Sequence, residues 1–347
     1  MKTKICSIFG LAAFVIAPLF AWADDLPRPD PTVAEFARGV KFTVAGYNGG
    51  SEVQTNFPVL VRLSTAISGF KYSDFYADGS DLSLVDIGFV DAETNGIPYE
   101  IDTWNPSGES LVWVNLPRMT NGTEFAMWYR SSKTGKVLNS DNVWADYTGV
   151  WHLNESGSAG TAVKDSSTNA LDCAAQGKST ADAAGKIGGS WQISDVYDRK
   201  AAGLVVDASV AANNAKLNAL GSTFHVSFWF KTTSTGNSAK WCVLLGRRGS
   251  GSDAGWALQL HDTWNQLRVY GNGGEKMHTA KLAPCLDWRL PMFGQRSMSC
   301  GMQTRTARVG RQRSIMAVRL ATKPCGRMRM PFPRSTISTL SLAILQT

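Results

Sequence analysis

Apolar and polar positions alternate with a period of two along most of the chain. In GVKFTVAG, Val40, Phe42 and Val44 alternate with Lys41, Thr43 and Ala45. In FPVLVRLS, Phe57, Val59, Val61 and Leu63 share one face, with Arg62 and Ser64 on the other. DLSLVDIGFV, IPYEID, SLVWVNLP and EFAMWY follow, punctuated by Gly, Asn and Pro at intervals of about 8–12 residues. The pattern resumes in YTGVWHLNE, in GSTFHVSFWFKTTS, and in WCVLLG, GWALQL and NQLRVYG. Nowhere does a 3.6-residue period persist beyond a few turns, so the pattern predicts an all-β chain of two consecutive β-sandwiches. LNSDNVWAD marks the boundary, near residues 138–146.

Processing and charge refine this outline. Residues 1–23 read as an export signal: Lys2 and Lys4, an apolar run to Phe20, then Ala21-Trp22-Ala23. A leader linker covers 24–38, with three Pro in DDLPRPDPTVAEFAR. No later stretch is apolar long enough to cross a membrane as a helix. The expected location is therefore periplasmic or extracellular. The formal charge of +7 comes entirely from residues 288–347, which hold eleven Lys/Arg and no Asp or Glu. The chain before Trp288 has 24 basic and 28 acidic residues, a net of −4.

A basic tail suits nucleic acid only when aromatic interleaving, a zinc pattern or a helical basic face accompanies it. This one has none of these, so no nucleic-acid partner is expected. We read 288–347 as an out-of-frame, disordered tail that interrupts the second domain. Of the six Cys, Cys6 leaves with the signal and Cys300 and Cys325 lie in the tail. Cys173, Cys242 and Cys285 remain, allowing one disulfide without fixing the pair.

Residues 57–130 resemble the bacterial domain-of-unknown-function family 2341, through FPVLVRLS, GSDLSLVD, IPYEIDTWNPSGESLVWVNLP and GTEFAMWYR in that order. GVWHLNE…DSSTNA and FHVSFWFKTTS…GWALQLHDTWNQLRVYG resemble a laminin-G-like, concanavalin A-like jelly roll. The resemblance implies a 2341-type sandwich over 39–138 and an incomplete jelly roll over 146–287. It also implies an exported bacterial protein of the cell envelope without established catalysis. Such domains occur joined to the MotA/TolQ/ExbB proton-channel family, which makes an accessory role in an envelope transport complex the first alternative. This chain lacks the membrane spans of that arrangement.

The candidate chemistry centres on IPYEIDTW. Glu100 and Asp102 fall on one strand face with Cα atoms roughly 6.6 Å apart at the usual rise. That spacing is compatible with a glycosidase pair, but such acids flank a bond from opposite sides. A glycoside hydrolase or lyase accessory module is the second alternative. With Ile97, Tyr99 and Ile101 apolar, Pro98, Glu100 and Asp102 read as the solvated face of a half-buried strand. Trp104 and Trp264 lie beside turns, and Trp229 shares a face with His225, Ser227 and Lys231. Indole faces stack on apolar sugar faces. Glu100, Asp102, Trp104, Trp229 and Trp264 are thus the candidate ligand contacts, with a glycan or cell-surface polymer as partner.

DSSTN at 165–169 offers oxygens that suit Ca²⁺, but without an EF-hand pattern, and an Asx-type turn explains it equally. RRGSGSDAGW lacks the GK[ST] of a phosphate loop. No GxSxG or HExxH occurs, and the four His suggest no triad. No catalytic residue, resident metal or other cofactor is assigned. The expected function is non-catalytic recognition or adhesion.

Overall fold

The computed structural model describes residues 36, 38–47, 51–75, 85–129, 143–182, 184–193, 202–219, 224–232, 242–248, 255–261, 266–270, 276–281, 298–304, 316–318 and 337–346. The expected signal, most of the leader linker, Trp264 and Cys285 lie outside them. The described residues are mainly antiparallel strand, and their single α-helix is α1, Ala211–Asn218. None of their helices is long and apolar enough to cross a membrane. The chain divides into two compact units, residues 1–145 and 146–347.

The first unit places β1 (Arg38–Thr43), β6 (Glu124–Tyr129) and β3 (Ile87–Asp91) in one sheet, ordered β1-β6-β3. A second sheet, ordered β2-β5-β4, takes β2 (Gln54–Leu63), β5 (Ser110–Met119) and β4 (Tyr99–Thr103). Alternation aims Val40, Phe42, Val59, Val61, Leu63, Val112, Val114 and Leu116 into one buried core. Each such side chain contributes about 1.5–3 kcal/mol when fully buried. Tyr99 ties the sheets together across that core: its hydroxyl donates to the Ile87 carbonyl at 2.6 Å.

Both sheets also carry buried residues on their outward sides. Phe36 packs with Val90, Ala126 and Trp128, which alternate with the core positions of β3 and β6. Beside β5, Val143 and Trp144 are buried to 3% and 5% exposure, and the Asn115 amide donates to the Val143 carbonyl at 2.9 Å.

The second unit contains a larger sheet ordered β10-β11-β20-β13-β18-β19, with β7 also paired to β20. Its strands are β7 (Tyr147–Trp151), β10 (Ser179–Asp182), β11 (Ser190–Ile193), β13 (Phe224–Thr232), β18 (Met298–Thr304), β19 (Met316–Val318) and β20 (Ile337–Gln346). Smaller antiparallel sheets join β8 (Ala162–Val163), β9 (Cys173–Gln176) and β12 (Gly203–Val206), and β14 (Cys242–Arg248), β15 (Gly255–His261), β16 (Gln266–Tyr270) and β17 (Lys276–Lys281). β14 and β15 pair antiparallel, with Arg248 opposite Gly255 near the two ends of RRGSGSDAGW.

Three of these strands, β18, β19 and β20, fall within residues 288–347. β20 runs beside β13 in a register that sets Leu340, Leu342 and Ile344 opposite Phe230, Phe228 and Val226. Within ISTLSLAILQ, large and small residues alternate only from Leu340 to Ile344, a signal too short to stand out in the basic tail. Cys173 is a free, buried thiol and takes no part in a disulfide.

Candidate functional site

The β4–β5 hairpin begins with turn chemistry. In NPSG the Asn105 carbonyl accepts from Gly108 N at 3.0 Å, and its side-chain Oδ1 accepts from Ser107 N at 3.1 Å. A Cβ on Gly108 would sit 2.6 Å from the Asn105 side-chain amide nitrogen, so a larger residue there would make that side chain shift. Ser110, fully buried, closes the hairpin: its hydroxyl accepts from Asn105 N at 2.8 Å and lies 2.8 Å from the Tyr72 hydroxyl.

Pairing then sets Glu100 opposite Trp113 on the outward face, while Tyr99 and Ile101 face Val114 and Val112. The register shifts between Ile101 and Thr103, leaving Asp102 as the extra residue of a bulge. Bulges re-aim side chains. Here the Asp102 carboxylate accepts the Trp113 indole N–H at 3.0 Å and the Thr103 hydroxyl at 3.0 Å.

Glu100 accepts the indole N–H of Trp144. The Trp113 and Trp144 rings meet edge to face, 5.2 Å apart at 65°. Glu100, Asp102 and Trp113 are half-buried, and Trp144 is buried. Pro98, Glu100 and Asp102, expected on the solvated face, are all half-buried, and Glu100 is met by Trp144 from a segment remote in sequence.

The other candidates separate. Trp104 turns toward the core, edge-on to Tyr72 at 5.3 Å and Phe75 at 5.0 Å. Trp229 lies in the second unit, half-buried, with the Lys186 ammonium 5.6 Å from its ring centroid. The structure thus groups Glu100 and Asp102 with Trp113 and Trp144, and neither of the other two described candidates joins them. Trp113 was open to sequence reasoning, since it alternates with Val112 and Val114 on a strand and so must face outward. Trp144 carries no comparable local signal.

DSSTN forms a closed structural loop. Asp165 Oδ1 accepts from Val150 N at 2.7 Å and Ser167 N at 2.8 Å. Its Oδ2 accepts from the Ser167 hydroxyl at 2.8 Å and Leu171 N at 2.7 Å. Neighbouring Asp172 accepts from Asp165 N at 3.0 Å and pairs with Lys164 at 2.5 Å. Burial raises the Asp172 carboxyl, but the Asp165 N–H and the Lys164 ammonium together bring it below the ordinary carboxylate value. Among the described residues, no group of three or more His, Cys, Asp or Glu is placed to hold a metal ion.

Chemically, the outer face of the first unit offers two carboxylate acceptors and an indole. The acids lie two residues apart on one strand, each engaged by an indole N–H, whereas a glycosidase pair works from facing walls. Acceptors beside an aromatic face suit the binding of hydroxyl-rich molecules. Comparison with family models, curated proteins and solved structures gave no match.

Proposed function

We propose that this is an exported, non-catalytic recognition protein of a bacterial cell envelope, whose first sandwich binds a neutral glycan on the outer face of its β2-β5-β4 sheet. The observation that carries the reading is the convergence of Glu100, Asp102 and Trp113 on one half-buried, outward-facing patch. Carboxylates accept hydrogen bonds from sugar hydroxyls, and indole covers the apolar face of a pyranose. Carboxylate acceptors suit the hydroxyl donors of a neutral glycan better than the carboxylate acceptors of a polyuronate.

Affinity electrophoresis of the full mature chain tests it, with a neutral glucan or a uronate polymer cast in the gel. The glucan is expected to retard the protein and the uronate is not. Trp113→Ala should weaken retardation by about tenfold, the equivalent of about 1.4 kcal/mol. A chain that migrates alike in both gels and in plain gel does not have this function.

A further inference from the structure

The recognition patch is partly covered by the chain itself. Val143 and Trp144 lie across the outward side of β5, 3% and 5% exposed. Their hold uses the patch's own groups: the Trp144 indole donates to Glu100, its ring packs edge-on to Trp113, and the Val143 carbonyl accepts from Asn115. Trp144 thereby makes the contacts that a ligand ring would make there, one hydrogen bond to an acid and one aromatic contact.

The fit beneath this strap is incomplete. Asn115 is only 7% exposed, yet among the described residues its Oδ1 has no hydrogen-bond partner. A buried amide oxygen without a donor is costly, and donors brought by a ligand or by water would relieve it.

We propose that Val143–Trp144 is an autoinhibitory strap, with Trp144 standing in for a ligand ring on the glycan-binding patch. The inference rests on the functional reading above. In the strapped form Glu100 is engaged and Asn115 is covered. In the open form Glu100, Asp102, Trp113 and Asn115 line one surface, adding an amide acceptor to the two acids. Apparent affinity is then reduced by the fraction of molecules in which the strap is open.

The same glucan gels test the strap with Trp144→Ala and Trp144→Phe in the full mature chain, each checked for folding by its thermal transition. Trp144→Ala should bind about tenfold more tightly than the parent, as follows if about one molecule in ten is open. Trp144→Phe keeps a ring but loses the N–H donor, and should bind with intermediate affinity. If Trp144→Ala fails to fold, the Phe variant decides: binding tighter than the parent supports the strap. If the parent binds the glucan and the folded variants bind equally or more weakly, the strap is overturned while the functional reading stands. If neither parent nor variants bind, both fall.

Discussion

Asp165 shows what one side chain contributes in the second unit. Its two oxygens collect N–H groups from Val150, Ser167 and Leu171 and the Ser167 hydroxyl, joining β7 to the loop before β9. Alanine would strand buried backbone donors, each costing about 1–3 kcal/mol. Asp165→Ala is therefore expected to lose on the order of 3 kcal/mol in urea unfolding, and a loss under about 1 kcal/mol would contradict this role. Cys173 follows closely in the chain. Its burial, with the negative charges of Asp165, Asp172 and Glu155, pushes the thiol up to about 12. The folded thiol stays neutral, whereas an unfolded one ionises near pH 8.5. Its contribution to stability is thus complete below about pH 8.5 and falls as pH rises toward 12, by about 1.4 kcal/mol per pH unit. Under reducing conditions, the parent should lose about 2 kcal/mol more than Cys173→Ala between pH 7 and pH 10. Parallel losses in the two proteins would remove the thiol as the cause.

Elements differ in how much of them the sequence discloses, and the β4–β5 hairpin contains both extremes. The inward set, Tyr99, Val112, Val114 and Leu116, is legible because a period of two is local and follows from the pleat. The turn is equally legible, since Asn-Pro-Ser-Gly is rich in turn formers and Asn105 supplies the side-chain acceptor for Ser107 N. The bulge at Asp102 is not: one extra residue leaves no mark in composition, although it decides where that carboxylate points. Nor is the covering of Glu100 by Trp144 legible, because it depends on a segment more than forty residues away. The Asp165 loop hides for another reason. Asp, Ser and Asn serve a calcium loop, an Asx turn and a buried hydrogen-bond hub alike, and only the donors around them distinguish the three.

On the scale of the molecule, three strands of the second unit come from the basic tail. An out-of-frame tail would contribute nothing to the second unit. Yet β20 is paired with β13 on one side and with β11 and β7 on the other, and β18 covers the opposite edge of β13. β13 carries Val226 and Phe228, 0% and 2% exposed, so uncovering its edges would free a long apolar strand to pair with other chains. Ending the chain after Asp287 should therefore leave the first unit intact and undo the second, because each unit has its own contacts to keep. Limited proteolysis with peptide mapping separates the cases. In the truncated chain, cleavage within 224–232 is expected to accelerate by about tenfold or more, while cuts within 85–129 keep the parent's rate. Unchanged protection of 224–232 would mean that the tail is dispensable, as the out-of-frame reading expects, and that β13 is held by its other contacts. Loss of protection in both regions would mean that the first sandwich depends on the second. Its separately buried core of Val61, Leu63, Ile87, Val112 and Val114 argues for the local outcome.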